Sequence, residues 1–211
     1  MALKSFGLPA LCAVFLAGCS ALGGSGAGAM LSMLKPKGPQ TSAFDMPRAE
    51  LEKAGVPVMV LASDRFGYED FVAPRDRRGA VVNWGSADGL LVTLRDGVLI
   101  ETRGLGGDLM SSAMPGAGQI AGSGSYRRSY FFVGPEDRSD RIDFTCTPRT
   151  AGTETLAVFG LGYPTRHVIE TCESDAGVIK NEYWLQGSTI RKSREWVSPT
   201  LQYIELTRVI D

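Results

Sequence analysis

The chain has 211 residues, with 22 Lys and Arg against 23 Asp and Glu and a formal net charge of −1. That balance leaves no excess of cations to hold nucleic acid or an acidic surface. A lone histidine, His167, excludes paired-histidine zinc sites and weakens any acid–base scheme built on imidazole.

At the start, Lys4 precedes an apolar run from Phe6 to Leu16, and small residues then lead into Cys19. This order predicts a secretory signal over residues 1–18 that ends in a lipobox, Leu16-Ala17-Gly18-Cys19. The apolar run is too short to span a bilayer, which takes ~20 residues. The mature chain is therefore expected to begin at Cys19 and to be held by acyl chains, each buried methylene contributing ~0.8 kcal/mol. The alternative is an ordinary signal peptide with a chance cysteine. Ser20 in the next position, rather than an aspartate, favours the outer membrane. Residues 19–42 are rich in Gly, Ala and Ser and read as a tether; ~20 such residues would reach roughly 25 Å. An apolar patch within it, Met30-Leu31-Ser32-Met33-Leu34, is open to two readings, contact with the membrane or docking on the folded part.

Residues 43–211 are expected to form one antiparallel β domain. Its single short helix is predicted over Asp45–Ala54, with Asp45 as cap, Pro47 in the first turn and Gly55 as the stop. Strands follow at Val58–Leu61, Ala80–Trp84, Leu90–Leu94 and Val98–Arg103. Asp96-Gly97 between the last two is a strong hairpin signal, because both positions favour positive φ. Residues 104–124 hold seven glycines and Pro115; a connection this long is either a ligand or partner loop or a flexible excursion. Within it, Gly116-Ala117-Gly118-Gln119-Ile120-Ala121 matches a dinucleotide fingerprint, but with no helix expected there the match is read as accidental.

Further strands are predicted at Tyr126–Val133, Arg141–Thr147, Glu154–Phe159, Arg166–Cys172, Val178–Leu185, Thr189–Val197 and Leu201–Val209. Turns are expected at Asp175-Ala176-Gly177 and Gln186-Gly187-Ser188. Charge in Thr189–Val197 (Arg191, Lys192, Arg194, Glu195) suggests a strand exposed on one face or at a sheet edge. Strands at this spacing without crossover helices imply a mainly β fold, an antiparallel meander closing as a β-sandwich or half-open barrel.

Cys146 and Cys172 remain as a pair in an exported chain. A disulfide between neighbouring strands would contribute roughly 3 kcal/mol in the chain-entropy model; the alternative is two buried free thiols. No nucleophile elbow or phosphate loop is present in the sequence. The acid pairs Glu69-Asp70, Glu136-Asp137 and Glu173 with Asp175 fall at turns, where solvated acids are ordinary, and a glycosidase needs two acids facing across ~5–10 Å. Neither catalytic residues nor a metal or cofactor site is therefore assigned. Candidate contacts to glycan or a partner are Trp84, Trp184, Trp196, Tyr126 and Asp108, with packing against the sheet as the alternative for each aromatic ring.

From Leu90 onward the chain resembles the YjbF/GfcB family, the group 4 capsule polysaccharide lipoproteins. The similarity lies in residues 90–102, LLVTLRDGVLIET, running into Gly104-Leu105-Gly106-Gly107-Asp108-Leu109, and later in Tyr183-Trp184-Leu185 and Ile190-Arg191-Lys192-Ser193-Arg194-Glu195. The lipobox and the early helix fit as well. The resemblance implies a small, mostly antiparallel β lipoprotein of the outer membrane that faces the periplasm. It would act as a non-catalytic accessory in capsule or exopolysaccharide assembly and export, with the export machinery or the glycan as partner. The competing expectation is a periplasmic carrier of lipid or lipoprotein, which requires a large apolar cavity inside a half-barrel.

Overall fold

The computed structural model describes residues 42–114, 116–133 and 138–211. The predicted signal peptide, Cys19, the 30–34 patch, almost all of the predicted tether and the Glu136-Asp137 pair lie outside the described residues.

Twelve strands form one antiparallel sheet: β1 Val58–Ser63, β2 Tyr68–Arg78, β3 Val81–Gly85, β4 Leu91–Arg95, β5 Val98–Arg103, β6 Leu109–Ala113, β7 Tyr126–Val133, β8 Ser139–Val158, β9 Leu161–Ser174, β10 Gly177–Gln186, β11 Thr189–Ser198 and β12 Gln202–Ile210. Consecutive strands pair, except that β1 pairs with β12 and no ladder joins β5 to β6. The sheet thus rolls into a nearly closed barrel whose one seam lies between β5 and β6, and the expectation of a mainly β antiparallel meander closing as a half-open barrel holds. At Asp96-Gly97 the backbone takes φ of 50° and 85°, the left-handed pair required by the tight turn between β4 and β5.

The N-terminal helix is shorter and more broken than predicted. Ser42 caps a 3₁₀ turn, Ala43–Asp45, and Asp45 reaches back to the Ser42 N–H at 3.2 Å instead of opening an α-helix. Met46, held extended by the following proline, breaks the run, and α1 spans only Arg48–Glu52. A second helix of one turn, α2 (Ala117–Ile120), corrects the expectation that none lies in the glycine-rich stretch. Buried Ile120 anchors it against Val98, Val168, Tyr183 and Ile190. That contact gives the segment an apolar reason to be ordered despite its glycines.

Two strands were not predicted. β2 carries Glu69, Asp70, Arg75, Asp76, Arg77 and Arg78, and its Pro74 sits where the register with β3 shifts. A bulge is a place where a sheet tolerates the missing N–H of proline. β6 is a short edge strand beside the seam. The two runs read at 141–147 and 154–159 are one 20-residue strand, β8. β11 lies between β10 and β12, not at an edge, and Glu195 and Arg191 on it are buried.

Cys146 and Cys172 face each other across β8 and β9 and form a disulfide. The largest apolar cluster runs across the interior, where Tyr130, Phe132, Phe144 and Trp196 meet edge to face at centroid distances of 5.0–5.9 Å, Tyr130 and Phe132 themselves lying near parallel at 6.3 Å. Edge-to-face pairs add about 0.5–1.5 kcal/mol beyond simple burial.

Candidate functional site: an arginine-lined pocket at one end of the barrel

Alternation along the strands sends some charged side chains inward. Arg128 shares its face of β7 with Tyr126, Tyr130 and Phe132; Glu170 shares its face of β9 with Val168 and Cys172; Glu195 lies inward on β11. All three are fully buried, where a lone charge would be very costly. Arg128 donates to Glu170 at 2.7 Å, to Glu195 at 3.2 Å and to the Tyr183 hydroxyl at 2.9 Å. Tyr126 and Asn181 also donate to Glu170, at 2.6 and 2.5 Å. The Leu99 N–H donates to both Glu195 oxygens at 3.2–3.3 Å, and its carbonyl accepts from Arg128 at 3.4 Å. The network therefore clamps seam strand β5 to β7, β9 and β11 across the interior.

Burial raises the pKa of Glu195 above the ordinary glutamate value; Arg128, Ser193, the Leu99 N–H and Tyr183 pull the other way without cancelling it. Burial alone would lower the Arg128 pKa, but the surrounding Tyr130, Tyr183, Glu170 and Glu195 hold it above its usual value. Two acids do converge here, but both are sealed from solvent and tied to one guanidinium. With this network and the aromatic cluster filling the interior, the large apolar cavity required of a lipid carrier has no room among the described residues.

Two cavities lie at the ends of the barrel. One end gathers the β2–β3, β4–β5, β8–β9 and β10–β11 turns, α2 and the end of β12. A cavity of about 770 Å³ opens there, with Arg77, Trp84, Asp96, Ile190, Arg208 and Asp211 in its wall. Nearby, Arg191 donates to both Asp211 carboxylate oxygens at 2.7 and 2.8 Å and to Gln186 at 2.6 Å. Arg208 lies over the Trp84 ring at 5.4 Å, and its buried Nε has no hydrogen-bond partner. Burial lowers the Arg208 pKa; Asp211 opposes this, and Arg191 and Arg77 add to it. Arg77, exposed on the wall, makes no ion pair among the described residues. A second cavity, about 710 Å³, lies at the opposite end beside Asp108, Phe132, Arg141 and Ser198.

The predicted contact residues are dispersed. Trp84 is 2% exposed and contributes to the first cavity from beneath Arg208. Trp196 belongs to the core, its indole surrounded by Tyr130, Phe132 and Phe144. The Tyr126 hydroxyl points to Glu170. Asp108 accepts from the Thr102 hydroxyl and the N–H groups of Gly104 and Leu105 at 2.8–3.1 Å, so it shapes the β5–β6 turn while touching the second cavity. Trp184 lies on the outer face, stacked on His167 at 4.5 Å, with Lys192 5.2 Å from its ring and its Nε1 donating to Glu154 at 2.5 Å. His167 also contacts Glu182 at 2.9 Å, a surface packing role. Glu69 accepts from the Ser42 hydroxyl and the Ala43 N–H, holding the N-terminal turn to β2. Sequence reasoning missed Arg77, Arg191 and Arg208 because a strand arginine usually signals a solvated face; the topology gathers them from three strands.

The fold is similar to that of the crystal structure of a hypothetical lipoprotein, YmcC, from Escherichia coli (K12), with a TM-score of 0.68 at 18% identity over 82% of this chain and 98% of that one. A search of curated protein sequences returns no match. The family model for the group 4 capsule polysaccharide lipoproteins, gfcB and YjbF, matches residues 26–209, nearly all of the sequence that follows the predicted signal, and the chain belongs to that family.

Proposed function

We propose that the protein is an outer-membrane lipoprotein, held at Cys19 and facing the periplasm, that serves capsule or exopolysaccharide assembly and export without catalysing a reaction. The family match over residues 26–209 carries this reading. The lipobox supports the anchor, and residues 19–42 supply the reach from the membrane to the barrel. The open ends of the barrel are where glycan or an export protein makes contact, since the interior is filled. Deleting the gene is expected to lower surface polysaccharide under inducing conditions, measured as uronic acid and total hexose released from washed cells. Unchanged polysaccharide would sink the export role. Cys19→Ser is expected to leave the outer-membrane fraction on density-gradient separation; recovery there at the wild-type level would refute the anchor.

A further inference from the structure

We infer that the arginine-lined cavity at the β12 end of the barrel binds a carboxylate-bearing sugar of an acidic polysaccharide. Arg77 from β2 and Arg208 from β12 stand in its wall, while Arg191 of β11, beside the cavity, is paired with Asp211. Arg208 is half-buried with its Nε lacking an acceptor, and Arg77, exposed on the wall, has no ion pair among the described residues. The Nε is closed to a ligand as it is to water, so a carboxylate entering the cavity pairs with the part of the Arg208 guanidinium that faces it and with Arg77. A bare anion would need nothing more, but the cavity offers more. Asp96 stands in the same wall as an acceptor for hydroxyl groups, and Trp84, Leu94 and Ile190 add apolar surface. A uronic acid presents that combination of one carboxylate, several hydroxyl donors and an apolar ring face. About 770 Å³ falls within the range of small-molecule pockets, roughly 300–1,000 Å³. With its ring under Arg208, Trp84 reports on the site instead of stacking on the sugar.

The assignment rests on the reading of the protein as a polysaccharide-export factor, and its test is independent of that reading. The protein as the cell exports it, held in zwitterionic detergent micelles, is titrated with trigalacturonate, with neutral maltotriose, with inorganic phosphate, and with micelles doped with phosphatidylglycerol. The readout is the Trp84 indole N–H resonance, assigned by its loss in Trp84→Phe. Trigalacturonate is expected to shift that resonance saturably, with maltotriose at least tenfold weaker. Arg208→Gln and Arg77→Gln are each expected to weaken trigalacturonate about tenfold or more. Arg77 is exposed and unpaired among the described residues, so Arg77→Gln keeps the test valid should Arg208→Gln fold poorly. Maltotriose binding as tightly as trigalacturonate, or trigalacturonate binding untouched by Arg77→Gln, would overturn the assignment. So would a response confined to phosphate or to phosphatidylglycerol, which would give the cavity to a phosphate or a lipid headgroup. Lost surface polysaccharide in the deletion strain together with no trigalacturonate response rejects the pocket alone. A trigalacturonate response with unchanged surface polysaccharide rejects the export role alone.

Discussion

Two buried carboxylates, two phenols and a backbone carbonyl surround Arg128 inside the barrel. Replacing it with Met leaves Glu170 and Glu195 buried without their cation, and breaking a buried pair in this way costs about 3–5 kcal/mol. Urea unfolding of Arg128→Met should show that loss, and a change below ~1 kcal/mol would mean the network is not formed as described. Glu195 gives the protein a particular pH dependence. Its folded pKa is raised, so the folded state keeps a proton at pH values where an unfolded glutamate, near 4.5, has released it. The unfolded state then binds fewer protons, and stability must fall as pH rises from about 4.5 through the raised value. Glu195→Gln should flatten that slope in a series of melts; an identical slope would assign the titration elsewhere. Two of the three tryptophans offered as contact candidates, Trp196 and Trp184, should separate cleanly. Trp196→Ala empties the aromatic cluster and is expected to cost ~3–5 kcal/mol. Trp184→Ala on the outer face should cost far less, and equal losses would contradict the burial assigned to them.

At the scale of elements, runs of β-favouring residues between turn signals carried most of what could be read. The Asp96-Gly97 hairpin, the turns at 175–177 and 186–188 and most of the strands from Val58 onward follow directly from local chemistry. β2 was hidden by its charges and by Pro74, which usually argue against a strand; the bulge that accommodates the proline is a tertiary feature. β11 misled for a related reason. Its charges look solvated, yet Glu195 is drawn inward by Arg128 on a strand far away in sequence, and Arg191 is buried between Asp211 and the Tyr163 ring. The inward parity of Arg128 with Tyr130 and Phe132 was legible in the sequence, and a charge at such a position signals a buried partner. What parity cannot name is the partner, since that depends on which strands curl to face each other. The disulfide joins elements that are already paired. Cys146→Ala with Cys172→Ala, or reduction, is expected to cost roughly 3 kcal/mol and to leave the fold intact, read as a lower urea midpoint with an unchanged far-ultraviolet spectrum. Loss of β structure on reduction would give the bridge a larger role than closing one loop.

At the scale of the whole molecule, β12 returning beside β1 closes all but one seam, and the Arg128 network holds seam strand β5 from within. Among the described residues the result is a barrel with a filled interior and cavities at its ends, which suits recognition more than carriage of an acyl chain. The arginine pocket was not legible in the sequence, because Arg77 and Arg208 line it, with Arg191 beside it, only after β2, β11 and β12 take their places in one sheet. The lipobox, by contrast, is a local motif, so the sequence by itself is enough to propose the anchor at Cys19. The central claim joins the two: a glycan-handling barrel that works from the membrane. Its most direct test is surface polysaccharide in the deletion strain carrying either the wild-type gene or Cys19→Ser at matched protein levels. The account predicts restoration by the wild type alone, and full restoration by Cys19→Ser would contradict it.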